Sequence, residues 1–443
     1  MFMHGPKFWA WGAIPVVLYM YDRYRQVTKG RDPFMITKVE FINPVMAIYF
    51  KPVFSKDFKF KEGQYLYLSC PYISKSEWHP FTISSAQDDL TNGPRIYLET
   101  GEEVLDVPRP SNLHPNAKWN KYYLISQNWK DMNPSDYIDK SETGYNDYIS
   151  CHIKIHGLDD PVAKSWTRKF KEYLEVCSGN VPGANNFPLF FKGTDHRGDI
   201  QIGQLMDVDD QQMVCVDGPH SAPSEHFCNY GTAMMVGGGI GLTPCASVIS
   251  ALIKHRWKKG LNPEILHLYW VVRQGDVDSF QWLVHLLTEL SYEYKKCREF
   301  DTIASSNYCE FNIFVTAVEK DSNKTPQPFQ KPKRKYNNGA VQPLFNADKL
   351  YDMMLNPTVP SKKMVDTMKR GGNAANRLQD VWVWNGRPDW NQIFADVADQ
   401  RQHSEIGVCF CGAPVIGNDL KKMCERYSSS KEDCFFSLHK ENF

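Results

Sequence analysis

Residues 79–85 read His-Pro-Phe-Thr-Ile-Ser-Ser, and in an extended chain alternate side chains face the same side. Phe81 can stack on a planar ring there, the Thr82 hydroxyl can bond a nitrogen at the ring edge, and Pro80 fixes the entry to the strand. His79, Ser84 and Ser85 belong to the same segment and are candidates for the same ligand. A flavin isoalloxazine is such a ring, although an ordinary buried strand could carry these residues too. Residues 234–244 form a second constellation, Met-Met-Val-Gly-Gly-Gly-Ile-Gly-Leu-Thr-Pro. Gly237, Gly238, Gly239 and Gly241 let a backbone turn approach a pyrophosphate, and Thr243 with Pro244 opens a helix whose N–H groups favour an anion. A glycine turn alone is weak evidence, but one set between an apolar strand and a helix points to a nucleotide.

Other residues complete these two sites. His152, Lys154 and His156 occupy one strand face and offer cations to a diphosphate, with a helix start at 165–169 nearby; a solvated basic strand is the other reading. Arg273 follows an apolar strand at 266–272, where an arginine suits a 2′-phosphate better than a 2′-hydroxyl, and Arg387 could be a second clamp. This favours NADPH over NADH, against two arginines in surface ion pairs. Cys411 and Gly412 end a strand at the carboxyl edge of a sheet, where a small polarizable thiol could meet a nicotinamide or simply pack as a buried cysteine. The chain finishes on Phe443, whose ring could lie over a flavin.

The elements that must position these residues divide in two. Residues 31–229 read as short strands at 36–43, 45–53, 64–69, 81–86, 148–156 and 213–216, which favours an antiparallel barrel with a surface insertion at about 97–147. Residues 230–443 alternate strand and helix, which implies a mostly parallel sheet interrupted by an insertion at about 319–379. The fold class is therefore an α+β multidomain chain, an antiparallel β-barrel followed by a Rossmann-like α/β domain. Residues 1–30 precede both: the apolar, aromatic stretch 8–21 ends in Asp22, Arg23 and Arg25, like the cytoplasmic end of a membrane helix, although it falls short of the ~20 residues of a full span. A core helix is the alternative.

Length and charge set the bounds. The 443 residues suffice for two or three domains, and 51 Lys plus Arg balance 51 Asp plus Glu, so no global charge points to nucleic acid. The basic run Lys331, Lys333, Arg334 and Lys335 reads as a solvated loop or as a dock for an acidic partner or anionic membrane. Twelve scattered cysteines without a CxxC pair favour reduced thiols and give no metal-ligand set.

In order along the chain, the motifs at 4–9 (His-Gly-Pro-Lys-Phe-Trp), 77–86, 217–219 (Asp-Gly-Pro), 237–244, 269–273 (Tyr-Trp-Val-Val-Arg), 386–390 (Gly-Arg-Pro-Asp-Trp), 411–414 (Cys-Gly-Ala-Pro) and 440–443 (Lys-Glu-Asn-Phe) resemble the dehydrogenase half of the NADPH oxidase family. That family comprises the respiratory burst and superoxide-generating oxidases, related to ferric reductases and ferredoxin-NADP reductases. The resemblance implies that His79, Phe81 and Thr82 hold FAD, that Gly237 to Thr243, Arg273, Arg387 and Cys411 serve NADPH, and that Phe443 caps the flavin. It implies hydride passage from NADPH to FAD and onward single-electron transfer through haem to oxygen, with the dehydrogenase domains on the cytoplasmic side of a membrane. The chain carries no apolar helices with paired haem-ligating histidines, so the haem would belong to a membrane domain or subunit beside it. Lys154 stands where the family usually has an arginine, and the family's compact Gly-Asp-Trp-Thr is stretched here over 157–167. The same module in a ferric-chelate reductase, or in a truncated regulator without electron transfer, would carry the same motifs.

Overall fold

The computed structural model describes residues 8–29, 34–52, 58–74, 76–87, 149–158, 165–177, 186–189, 214–317, 347–356, 377–378, 381–401, 403–429 and 433–442. The expected insertion at 97–147, the basic run at 331–335 and Phe443 lie outside these residues.

A single helix, α1 (Phe8–Lys29), comes first and runs on through the charged residues that the sequence places in a linker. Ile14, Val16, Val17 and Leu18 are exposed along it. Among the described residues no helix is long and apolar enough to cross a membrane.

Short alternating segments then build two antiparallel sheets. Strands β1 (Phe34–Ile42), β2 (Val45–Pro52), β5 (Ile149–Lys154) and β6 (Asn186–Leu189) form one in the order β5-β2-β1-β6; β3 (Tyr65–Ser69), β4 (His79–Thr82) and β7 (Cys215–His220) form the other in the order β4-β3-β7. Ile83 bridges to Cys151 and joins the sheets. Their inner faces share one core with helix α2 (Trp166–Cys177), in which Ile36, Ile48, Phe50, Leu66 and Phe170 are fully buried. β4 begins at His79, two residues earlier than the sequence reading, because it is an edge strand paired only with β3 and so tolerates Pro80, which has no N–H to give.

From Thr232 onward the sheet is wound. Strands β8 (Thr232–Gly238), β9 (Ile265–Arg273), β10 (Tyr308–Thr316), β11 (Arg377–Leu378), β12 (Val381–Asn385), β13 (Glu405–Gly412) and β14 (Phe435–Asn442) lie in the order β11-β12-β10-β9-β8-β13-β14. All neighbours are parallel except β11 and β12. Helices α3 (Thr243–Ala251), α4 (Gln281–Glu299) and α5 (Ala347–Leu355) pack on one face; α6 (Trp390–Gln400) and α7 (Pro414–Tyr427) pack on the other. Period-two alternation divides β8 between these cores, with Met235 in one and Met234 and Val236 in the other.

The strand order reverses between β8 and β13, which sit side by side with Gly237 opposite Cys411. In open α/β sheets a ligand crevice lies at such a reversal, outside the carboxyl ends of the strands. The fold therefore brings the glycine run and the Cys-Gly-Ala-Pro segment together. Strands β6, β11, β12 and β14 and helix α5 are absent from the elements read off the sequence; β11 and α5 lie inside the expected second insertion.

Phe410 is fully buried on β13, next to Cys411 and in register with Val236 of β8. Phe410→Ala is expected to cost about 3–5 kcal/mol through lost burial and the cavity left behind. Denaturant midpoints check this, and a loss below about 1 kcal/mol would contradict the packing described.

Candidate functional site

The flavin-side residues are organised by a small hydroxyl network. Ser84 Oγ donates to the Ser150 carbonyl at 2.9 Å and lies 2.7 Å from His152 Nδ1, while Ser85 Oγ accepts from the Ser150 N–H at 3.0 Å. Ser84 and Ser85 thus tie the end of β4 to β5. Thr82 is buried, and its Oγ1 has no hydrogen-bond partner among the described residues. Such an atom costs free energy unless a ligand or solvent satisfies it, so Thr82 fits the edge of a polar ring. Phe81 is half-buried and stacks on Trp166 at 6.1 Å between centroids, and His79 lies 4.4 Å from the same indole.

His152 differs from its reading as a cation. It is buried and stacked on Trp282 at 3.7 Å, and burial pushes its imidazole down to about 3, so it is neutral at physiological pH. The positive charge at the end of β5 comes from Lys154, whose Nζ lies 3.8 Å from Asp276 Oδ2. Ser165 caps α2 by accepting the Arg168 N–H at 3.2 Å, but Arg168 itself is engaged with Gly157 and Glu172.

The nucleotide side is built by close backbone approach. β8 ends in Gly237 and Gly238, Gly239–Leu242 forms a 3₁₀ turn, and α3 starts at Thr243 with Pro244 in its first turn. A Cβ at Gly241 would fall on the Cys411 carbonyl, and a Cβ at Gly412 would lie 3.1 Å from Gly238 Cα. Gly239 has φ +55° and its carbonyl accepts from Trp270 Nε1 at 3.0 Å, which holds the turn on the core.

Cys411 is buried, and that burial, then the nearby Glu441 carboxyl, holds its thiol well above the ordinary range. It is a neutral contact, not a thiolate nucleophile. Glu441, its register partner on β14, was not singled out by sequence reasoning. Burial pushes the Glu441 carboxyl up to about 7, and Ser224 Oγ lies 3.4 Å from its Oε2. An acid in that range can hold or release a proton near neutrality. Only its neighbour in the last motif, Phe443, carried a visible signal, because register between β13 and β14 is a tertiary fact.

Arg273, the last residue of β9, and Arg387, in the loop after β12, line one cavity of about 640 Å³, together with Gly275, Asp276, Thr316, Ala317 and Gly386. This places both guanidinium-bearing residues at the carboxyl ends of β9 and β12, around Thr316 at the end of β10. The flavin-side and nucleotide-side segments also touch: Ser247 on α3 donates to the Ser85 carbonyl at 2.6 Å, and both residues are buried.

Residues 230–425 match the ferric reductase NAD binding domain, and residues 36–93 match an FAD-binding domain. The chain is 24% identical over 441 residues to a superoxide-generating NADPH oxidase heavy chain of Dictyostelium discoideum, covering 99% of this chain and 59% of that protein. It is 27% identical to a second superoxide-generating NADPH oxidase heavy chain of the same organism, covering 99% and 45%, and 25% identical to a respiratory burst oxidase homolog of Arabidopsis thaliana, covering 98% and 39%. The chain thus spans about half the length of these relatives. A solved ferredoxin NADP+ reductase from Neisseria gonorrhoeae aligns over 93% of this chain and 98% of that one, at 10% identity and a TM-score of 0.39, too low to carry a conclusion.

Because the Glu441 carboxyl holds its proton more tightly in the folded chain than in the unfolded one, stability should fall as pH rises from the ordinary carboxylate range to about 7, then level off. Glu441→Gln should remove that slope in melting temperatures measured against pH. Identical slopes in the variant and the parent would refute the assignment.

Proposed function

Since the chain belongs to the ferric reductase and NADPH oxidase family of FAD- and NAD(P)-binding proteins, we propose that it is the dehydrogenase region of a superoxide-generating NADPH oxidase. The observation that carries this reading is the convergence at one sheet edge of the glycine turn, Cys411 and the Arg273–Arg387 cavity, in contact with the flavin-side strand through Ser247.

We assign residues 31–229 to the flavin half and 230–443 to the nucleotide half, with inserted chain at about 97–147 and 319–379. FAD, when bound, supplies a centre that accepts two electrons and passes them on singly. His79, Pro80, Phe81 and Thr82 would form its wall, and the unpartnered Thr82 hydroxyl would give it a hydrogen bond. Ser84, Ser85 and neutral His152 hold that wall in place, and Lys154 supplies charge for a diphosphate. Gly237, Gly238, Gly239 and Gly241 with the Thr243 helix start cradle the pyrophosphate of NADPH. Arg273 and Arg387 bind its 2′-phosphate as fixed cations. Cys411 and Gly412 would line the nicotinamide end with Glu441 holding a proton beside them, and Phe443 is assigned as the flavin cap from its sequence motif alone.

The exposed apolar face of α1 supports attachment at the cytoplasmic end of a membrane helix, next to a haem-bearing membrane domain or subunit that delivers electrons to oxygen. A ferric-chelate reductase is the second reading, supported by the ferric reductase description of the matched NAD domain. Superoxide against Fe(II) output from the haem-containing assembly separates the two.

Purified flavin-loaded chain should reduce an artificial dye with NADPH; protein without bound flavin and without dye reduction would contradict the proposal. Arg273→Ala or Arg387→Ala should raise the KM for NADPH about tenfold, the scale of one lost charge-assisted hydrogen bond, and change that for NADH by less than about twofold. Equal effects on both coenzymes would refute a 2′-phosphate site.

A further inference from the structure

Helix α5 is borne by the stretch the sequence reads as an insertion, yet Leu350, Tyr351 and Met354 are buried in the core of the wound sheet. It docks on the segment that follows Arg273. The Tyr351 hydroxyl donates to Asp278 Oδ1 at 2.5 Å and accepts from Gln281 Nε2 at 3.2 Å. Gln274 Nε2 donates to the Leu355 carbonyl at 2.7 Å, and Ser279 Oγ closes the turn onto the Asp276 carbonyl at 2.6 Å. Burial and the Asp278 carboxylate push the Tyr351 phenol up, so it remains a donor throughout the working range.

The clamped segment has site residues at both ends. Arg273, Gly275 and Asp276 line the cavity at its start, while Trp282 at its end stacks on His152 of the flavin-side sheet. Asp276 also faces Lys154 across the same junction. The 3₁₀ segment Gln274–Phe280, held between fixed points, has little freedom, so a shift of its middle must move the ends.

We propose that α5 is a clamp that sets the nucleotide cavity, with Tyr351 a positioning residue for recognition of the adenosine phosphate by Arg273 and Arg387. This rests on the reading of that cavity as the 2′-phosphate site. A helix carried on an insertion then governs coenzyme affinity without touching the coenzyme, and the flavin stays bound when the clamp is loosened.

Calorimetric titration of the full flavin-loaded chain with adenosine 2′,5′-bisphosphate tests this. Tyr351→Phe should raise its Kd about tenfold, the scale of one hydrogen bond to a charged partner. The KM for NADPH should rise in step, while kcat and flavin content stay within about twofold of the parent, as expected when binding is lost uniformly. Asp278→Asn, which keeps an acceptor, should stay near the parent, whereas Asp278→Ala should match Tyr351→Phe. Should Tyr351→Phe not fold, Gln274→Ala removes the second anchor and should also weaken the bisphosphate. Parent-like Kd in the folded variants would overturn the clamp alone; a parent chain with no affinity for the bisphosphate would overturn the cavity reading beneath it.

Discussion

The buried hydrogen bond from Ser247 to the Ser85 carbonyl fixes where the two halves of this molecule meet. Ser247 lies one turn into the helix opened by the glycine run, and Ser85 closes the segment that begins at His79. Removing the Ser247 hydroxyl would leave the Ser85 carbonyl buried without its partner, at a cost of about 1–3 kcal/mol. Other contacts across the junction are also polar or aromatic: Arg256 with Glu62 at 3.8 Å, Lys154 with Asp276 at 3.8 Å, and the His152–Trp282 stack. Such a junction specifies orientation more than it adds stability, because the attraction within a largely buried charge pair is offset by the cost of desolvating it.

That junction sorts charge by position. Near the Cys411 end the groups are neutral or poised: the thiol is held protonated, and the Glu441 carboxyl is half-protonated close to neutrality. Fixed cations sit at the far cavity, where Arg273 and Arg387 are found. A coenzyme with an anionic tail and an uncharged reacting ring would be oriented by that gradient alone. Steric constraint adds to it, since no side chain larger than hydrogen fits at position 241 against the Cys411 backbone.

Much of this was legible in the residues. The glycine run showed itself because strand, turn and helix signals agree over 234–244, and the antiparallel half because apolar alternation is interrupted by turn residues. What escaped depends on tertiary partners. β14 has a polar sequence, Phe-Phe-Ser-Leu-His-Lys-Glu-Asn, and is a strand because β13 offers it a parallel edge. Glu441 gains its raised pKa from burial at that position. His152 looks cationic beside Lys154 in sequence, but a buried ring pays for charge in desolvation and stays neutral. Arg273 and Arg387 are more than a hundred positions apart, and only the order β12-β10-β9 makes them neighbours of one cavity. Helix α5 was hidden because it is short and surrounded by polar, proline-bearing chain.

The central claim is that this junction sets a nicotinamide directly against a flavin. Anaerobic single-turnover mixing of the flavin-loaded chain with NADPH, either unlabelled or carrying deuterium at the transferred position, tests it most directly. The account predicts bleaching of the flavin absorbance that the heavier isotope slows. No bleaching, or bleaching at the same rate with both coenzymes, would contradict it.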